Sequence, residues 1–476
     1  MTRFSFARRL SALQMLSAAA SVFAVLAAGA ASAETLQDAI AMAYQNNPTL
    51  AKARAQQRAT DEAYVQTRSQ LGPSLSLSTG VTYNDRPQIP TGAHAFGNLG
   101  VTANQALFAS GGLSANLEAS KAQVDSGQQS LRSAESQLLL NVISVYTAVR
   151  RDQEALQISQ DNYNILKQQL DQTQAQFEAG QLTRTDVAQS QARLSGASAS
   201  LASAQAQLDS DRADYVAIVG QTPTALEPVP DLPGMPKDFD LALKTAEQNN
   251  PDLQSAQYAA DAATARVKAA RSEFGPTVGL SVSSGQAGIA GHLGNFADTE
   301  ATSVTARLSI PLFSAGLNGS RVREAIDNET AQKLTVEQTR RTVVSTVSQA
   351  WSNMLAARSA VASTQEQVKA AQVAAEGVKT EQQVGLRTNI EVLNAEQELK
   401  SAQLDLVNAQ RSQYVAAAQL LSVTGNLTAK ALAPSTPIYD PKDNFNKVKS
   451  KGWTPLEPVV HVVDKAAEGL LTGGKK

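Results

Sequence analysis

The chain has 476 residues, of which 41 are basic and 43 acidic, and its net charge of -2 argues against a nucleic-acid-binding protein. It has no cysteine, which excludes disulfides and also a lipid attached to a cysteine behind a signal sequence. Aromatic residues make up only 5%, which is little for one thick hydrophobic core and suits an extended assembly with thin walls.

The first 33 residues have the organisation of a secretory signal peptide. Three arginines precede an uncharged apolar run, and Ala31-Ser32-Ala33 forms a small-x-small cleavage signal. The mature chain is therefore predicted to begin at Glu34. Beyond this segment no stretch reaches the ~18 uncharged apolar residues of a transmembrane helix, so the expected location is the periplasm, the exterior or the outer membrane.

Short motifs of the first half recur about 200 residues later, which indicates an internal duplication. The recurring pairs are Gln45–Pro48 with Gln248–Pro251, Gly72-Pro73 with Gly275-Pro276, and Gly180 with Gly385. We therefore predict two repeats, 34–220 and 238–425, joined by a proline-rich linker at 221–237. Residues 426–476 contain several prolines and lysines and are predicted to form an irregular tail.

Each repeat contains two segments in which apolar and polar residues alternate, as in β-strands. The predicted strands are 73–84, 96–108, 276–286 and 301–312. Their length of about 10–12 residues matches tilted membrane strands, although the alternation by itself fits a half-buried sheet of a soluble domain equally well. The signal peptide and the long helices that flank the strands favour the membrane.

Proline-free stretches with a sustained seven-residue apolar period follow the strands. The predicted helices cover 113–179 and 183–219 in the first repeat and 318–382 and 388–424 in the second. The period predicts left-handed supercoiling, and a four-residue step that interrupts it in both repeats marks a local change of winding. A helix over 113–179 would be about 100 Å long, which suits a tube that crosses the periplasm and no compact domain.

Four strands per chain are too few to close a membrane barrel, because an open edge in lipid leaves unpaired backbone groups. Two copies would give eight strands, whose barrel is filled by side chains, whereas three would give twelve strands and a water-filled lumen. The polar strand face is rich in Ser, Thr, Gly and Asn, which suits water. We therefore favour a trimer, a mixed α and β membrane protein whose 12-stranded barrel continues into a helical periplasmic barrel.

The chain resembles the TolC-type outer-membrane factors over nearly all of the predicted mature chain before the tail. The most specific elements are the duplicated Asn-Asn-Pro helix starts, the Gly-Pro strand starts, and two helix–helix turns at 177–187 and 384–393. The resemblance implies a homotrimer in the outer membrane that docks, through a periplasmic adaptor, with an ATP-driven or proton-driven inner-membrane transporter. It implies a passive exit duct for secreted proteins or for small toxic compounds.

In this family the helix turns form the periplasmic entrance, where polar contacts between inner and outer helix pairs keep the channel closed. By position, Asp186 and Arg387 match an acid–base pair of that kind, and Glu391 matches an acidic residue at the constriction. Gln382 stands where an aromatic residue is common, and Asn394 where a second acid is common. The resemblance therefore implies a weaker latch and one acid ring rather than two, although the sequence alone fits solvated surface charges as well.

The turns are also the expected contacts with the adaptor. A glycine at a helix end permits the left-handed conformation that reverses the chain. The candidate contact residues are Gly180, Leu182, Val384, Gly385 and Leu386.

No motif of a nucleophile, a phosphate-binding loop or a metal site is found, so we expect no enzymatic activity, cofactor or metal. His94 and His292 fall in roughly equivalent strand loops, and His461 falls in the tail; for the first two, exposed loop histidines are preferred over a metal site. Two alternatives remain open, a trimeric coiled-coil surface protein with a structural or adhesive role and a periplasmic adaptor. The first would not duplicate a helix–strand–strand–helix unit, and the second would lack four strands of membrane length.

Overall fold

The computed structural model of the chain describes residues 33–88, 93–289 and 300–472. The predicted signal peptide and parts of both strand loops, including His292, lie outside these residues. Among the described helices, none is both long enough and apolar enough to cross a membrane.

The two repeats have the same order of elements, two short helices, two strands and a pair of long helices. In the first repeat these are α1 (Leu36–Asn46), α2 (Pro48–Ser69), β1 (Ser74–Gln88), β2 (Ala93–Phe108), α3 (Gly112–Glu178) and α4 (Arg184–Val219). In the second they are α5 (Phe239–Asn249), α6 (Pro251–Ser272), β3 (Thr277–Ile289), β4 (Glu300–Ser309), α7 (Leu317–Gln383) and α8 (Asn389–Val423).

The helical segment before each strand pair is broken in two at an Asn-Pro step. Asn47 ends α1 and caps α2, since its side-chain oxygen accepts hydrogen bonds from the backbone of Thr49 at 2.9 Å and of Leu50 at 3.4 Å. Pro48 takes the first helical position, where its missing N–H costs nothing. Asn250 and Pro251 repeat this arrangement between α5 and α6, so the two halves of each segment meet at an angle set by the same two residues.

The four strands form one antiparallel sheet in the order β1-β2-β3-β4. The register pairs Leu77 with Val101, and Val282 with Val304, which gathers the apolar side chains of all four strands on one face. Most of the serines and threonines lie on the opposite face, while Thr79, Ser284 and Thr302 share the face of the leucines and valines. The second and third strands have partners on both sides, whereas β1 and β4 each pair on one side only within the described chain. Strand β4 ends at Ser309, before the predicted end at 312, because Pro311 has no N–H to donate.

The long helices pack as two antiparallel hairpins, α3 with α4 and α7 with α8, and α3 also lies along α6 and α8. The predicted seven-residue repeat of α3 is buried at Val124, Leu131, Leu138, Val142 and Val149. In α7 the corresponding repeat is buried only in part. Val343, Val347 and Ala375 are covered, and the remaining repeat positions are half-buried. A single chain therefore leaves one helix pair incompletely packed.

The tail was expected to be irregular, and this expectation was wrong for residues 429–472. They contain α9 (Ala429–Leu432), α10 (Pro441–Val448) and α11 (Glu457–Thr472). Pro441 and Pro458 stand in first helical turns, where proline is tolerated, so the prolines mark helix starts rather than disorder. The helix α10 packs on α2, with the ring of Phe445 edge-on to Tyr64 at a centroid distance of 5.1 Å.

Candidate functional site at the helix tips

Both hairpins reverse through turns of the same geometry. Gly180 and Gly385 have φ angles of 73° and 80°, in the left-handed region that glycine adopts without strain. The residue after each glycine closes the turn, because its N–H donates to a carbonyl of the last helical turn at 2.9 Å in both hairpins. Among the described residues, no other group lies within 4 Å of the position that a side chain would take at either glycine.

Each hairpin then starts its second helix with a capping box. Thr183 and Asp186 exchange hydrogen bonds at the start of α4, and Thr388 and Glu391 do the same at the start of α8. Hydrogen bonds from Thr183 hold the pKa of Asp186 below its ordinary value. The backbone and hydroxyl of Thr388, together with Arg387, lower the pKa of Glu391 to about 2. Both acids are therefore ionised at neutral pH and are fixed at helix starts, where negative charge is favourable.

The expected acid–base pair is not formed within one chain. Arg387 donates to Glu381 at 2.8 Å and to Glu391 at 2.9 Å, and no ion pair joins it to Asp186 in the part of the chain that the structure describes. Two of the predicted residues, Arg387 and Glu391, are thus brought together, and Asp186 lies on the other hairpin. Glu381 is a further partner that the sequence comparison with the family did not single out.

A buried polar cluster joins the two hairpins one to two turns behind the tips. Asn389 donates to the hydroxyl of Ser190 at 3.0 Å and accepts from the side-chain amide of Gln169 at 2.8 Å. The hydroxyl of Ser190 in turn donates to that of Thr173 at 3.4 Å. Asn389, Ser190 and Thr173 are almost fully buried, at 3%, 1% and 1% exposure. These mutually satisfied groups fix the two hairpins in one register.

A second, exposed contact between the hairpins involves Asn394, which accepts a hydrogen bond from Arg193 at 2.8 Å. The resemblance places Asn394 at the constriction but does not point to Arg193, because an arginine in a long polar helix face carries no local signal of its partner. Gln382 is half-buried near the end of α7. The side-chain amide of Asn394 therefore links the two hairpins. A second acid is not needed at this position for that contact.

The ends of the hairpins expose apolar side chains to solvent. Val384 and Leu386 are 69% and 75% exposed, and Phe177 is 41% exposed at the other tip. Leu182 is half-buried. Such exposed apolar groups on a rigid turn are typical of a protein contact.

The described residues contain no group of three or more potential metal ligands. His94 lies against the ring of Tyr83, with the ring planes at 17° and the centroids 5.7 Å apart, and its Nδ1 is 3.0 Å from the carbonyl of Asn84. These contacts indicate that His94 has a structural role at the end of the strand pair.

Comparison with known proteins gives a match to the family described as outer membrane efflux protein, over residues 39–221 and 242–426. The two matched blocks coincide with the two repeats. The chain is similar to the outer membrane efflux protein BepC of Brucella suis, with 32% identity over 90% of this chain and 93% of the relative. It is 25% identical to the outer membrane protein TolC of Escherichia coli over 93% of this chain and 94% of the relative.

Other similarities extend the range of relatives. The alkaline protease secretion protein AprF of Pseudomonas aeruginosa is 26% identical over 64% of this chain and 65% of the relative. Among solved structures, CusC matches with a TM-score of 0.74 and 20% identity over 82% of this chain and 92% of that one. VceC of Vibrio cholerae matches with a TM-score of 0.71 and 20% identity over 82% and 96%. The structural likenesses show the fold.

Proposed function

The chain belongs to the outer membrane efflux protein family and is an outer-membrane exit duct, and on this premise we propose that three copies close into one continuous channel. In this proposal, twelve strands form the barrel in the membrane, and the helix pairs of the three chains form a tunnel in the periplasm. The family match across both repeats decides against the adhesive and adaptor alternatives.

The observation that carries the proposal is a four-stranded sheet that, within the described residues, has two unpaired edges and one predominantly apolar face. Leu75, Leu77, Val81 and Tyr83 on β1 are between 69% and 75% exposed, which water would disfavour and lipid accommodates. Because β1 and β4 have free edges, the β4 edge of one chain is complementary to the β1 edge of the next. The partly exposed repeat positions of α7 support closure of the helical part in the same way.

The closed channel would present the polar strand face to its lumen. This face carries serines and threonines and, on β4, Arg307, whose neighbours in the register are small. A lining of hydroxyl groups binds no particular solute strongly, so we assign selection of the cargo to the inner-membrane transporter. The names of the relatives include both efflux and protease secretion, and the proposed cargo is accordingly a small toxic compound or a secreted protein.

We further propose that the tips are the periplasmic end and carry both the adaptor contact and the gate. The exposed apolar residues Val384 and Leu386 would form the contact with the adaptor. Asp186 and Arg387 would pair between neighbouring helix pairs of the assembled channel, and Glu391 would provide the negative ring that favours cations over anions. The partners that Arg387 has within one chain, Glu381 and Glu391, hold it at the position from which it can reach a neighbouring hairpin.

The proposal is tested by the mass and the conductance of the full chain purified from outer membranes in detergent. Light scattering, corrected for detergent, should give the protein mass of three chains, and planar lipid bilayers should show discrete channels. A mass of one or two chains, or trimers without channels, would rule out the duct as proposed. A variant with Leu77→Lys and Val81→Lys on the apolar strand face is the control, since it should fail to insert.

A further inference from the structure

The helix α11 presents apolar side chains to the outside and acidic side chains to the protein. Val459, Val462 and Val463 are 61%, 66% and 48% exposed, whereas Asp464 is fully buried. On the inner face, Glu457 forms an ion pair with Arg68 at 2.5 Å. A helix on a water-exposed surface has the opposite arrangement, so the outer face of α11 is suited to an apolar environment.

The buried acid fixes α11 at the junction between barrel and tunnel. The Asp464 carboxylate accepts hydrogen bonds from the backbone N–H groups of Ala109 at 2.7 Å, Gly111 at 3.1 Å and Ser114 at 3.0 Å. These groups belong to the start of α3, which has no side-chain cap from its own segment. A carboxylate there satisfies unpaired donors and is stabilised by the helix dipole, which explains why the inner face of α11 is acidic.

The same contacts place α11 at the foot of the first strand pair. Glu457, at the start of α11, is tied to the end of α2, just before β1 begins at Ser74, and Asp464 is tied to the end of β2. The helix therefore lies where strands of the apolar face give way to periplasmic helices. The equivalent junction of the second repeat, at Ser314, is formed without the tail, since the Ser314 hydroxyl accepts from the backbone of Asn318 at 3.5 Å.

The charges around α11 add a second, independent feature. Between residues 449 and 466 the exposed charged side chains are Lys449, Lys451 and Lys465, while both acids of this segment are on the inner face. Trp453 is 54% exposed beside these lysines. Tryptophan together with lysine on the rim of an apolar helix face is typical of a membrane–water interface, with the lysines directed to anionic headgroups.

We propose that α11 and the segment before it, residues 449–466, lie on the periplasmic leaflet of the outer membrane, with the three valines among the lipid chains. The occupant of the apolar face is thus phospholipid, and the tail is a membrane-surface contact tied to the junction of β2 and α3 in the first repeat. This proposal rests on the outer-membrane location of the barrel. It does not depend on the number of chains in the channel.

Because the chain contains no cysteine, a single nitroxide label can be placed at will on the full-length protein. We would compare Val462→Cys on α11 with Leu77→Cys on β1 as the lipid reference and Lys442→Cys on the exposed side of α10 as the water reference. Each labelled protein is reconstituted into vesicles of phosphatidylethanolamine and phosphatidylglycerol. Collision of the label with oxygen, which concentrates in lipid, and with a water-soluble nickel complex is measured by electron paramagnetic resonance.

The expected result is that the Val462 label collides preferentially with oxygen, as the Leu77 label does, while the Lys442 label collides preferentially with nickel. A Val462 label that behaves like the Lys442 label would overturn the proposal. So would one shielded from both reagents or coupled magnetically to its copies, since protein would then cover the face. If the Leu77 label also reported water, the membrane barrel itself would be wrong, and this outcome is distinguishable from failure at α11 alone.

Discussion

The polar side chains at the tips each have two roles, and the second role is visible only in the structure. Asp186 and Glu391 were expected at the gate because of their positions, and both also cap helices within their own hairpin. The sequence predicts the capping boxes and the glycine turns, since these depend on residues three or four apart. It could not predict that Arg387 pairs with Glu381 or that Arg193 reaches Asn394, because such contacts depend on the turn conformation and the register of two helices.

The gate pair can be tested by removing each charge in turn. With the charge of Arg387 or of Asp186 removed, contacts between neighbouring hairpins weaken, and the single-channel conductance of Arg387→Ala and Asp186→Asn trimers should increase. The asparagine retains an acceptor for the capping box. The matched control is Arg184→Ala, an exposed arginine in the first turn of α4, which should leave the conductance unchanged. An increase in Arg387→Ala alone would contradict a pair with Asp186.

Asp152 predicts a dependence of stability on pH. It is 4% exposed, one of its oxygens has no partner among the described residues, and the other accepts from Arg151 at 2.7 Å. Burial, with Asp211 nearby, raises the pKa of Asp152 from 3.8 to about 6. The folded protein therefore holds this proton more tightly than the unfolded chain does, so the contribution of Asp152 to stability falls as pH rises between about 4 and 6.

The substitution Asp152→Asn should remove the loss of stability that accompanies rising pH. The melting temperature of the variant relative to the natural chain should rise between pH 4 and pH 6 and stay level above that range. Thermal unfolding in detergent, followed by circular dichroism, measures the difference. Asp161→Asn, at an exposed position of the same helix, is the matched control for the change from acid to amide. A flat difference for Asp152→Asn would contradict the raised pKa.

Among the elements, the strands and long helices were predicted within a few residues because their alternation and seven-residue period persist over many turns. The Asn-Asn-Pro motif was interpreted as a helix start, and α2 does start at Pro48, but the separate helix α1 before it was not predicted, since the composition on both sides of Asn47 is equally helical. The helices of the tail were not predicted either. Their short length and prolines suggested disorder, and their stability comes from contacts with α2 and α3 that lie far away in sequence.

The Asn-Pro break is expected to be an important structural joint. Besides capping α2, the Asn47 amide donates to the carbonyl of Ile218 at 2.9 Å, at the end of α4. Asn47→Ala loses the cap and leaves that half-buried carbonyl without its partner, which should cost about 1–3 kcal/mol of stability. Asn46→Ala, one residue earlier and exposed, should cost far less. Equal melting temperatures for the two variants in detergent would contradict this role.

At the scale of the whole molecule, a single chain is only part of the proposed assembly. Within the described residues its sheet has two free edges, the apolar side chains of its strands are exposed, and most of the seven-residue repeat of α7 is only half-buried. The sequence led to the same conclusion by counting strands. The register in which one copy meets the next depends on contacts between chains. Neither the number of strands nor the structure of a single chain specifies it.

The most direct test of the account is a disulfide between the edges of neighbouring sheets in the membrane. Ser76→Cys on β1 would be combined in turn with cysteines at Ser303, Thr305, Arg307 and Ser309 along the same polar face of β4. The account predicts that at least one combination gives a covalent species of three chains on a denaturing gel without reductant, while each single variant and Ser76→Cys with Ser283→Cys, on the interior strand β3, does not. If no combination along β4 links the chains, or if linkage stops at two, the closed trimeric barrel is contradicted.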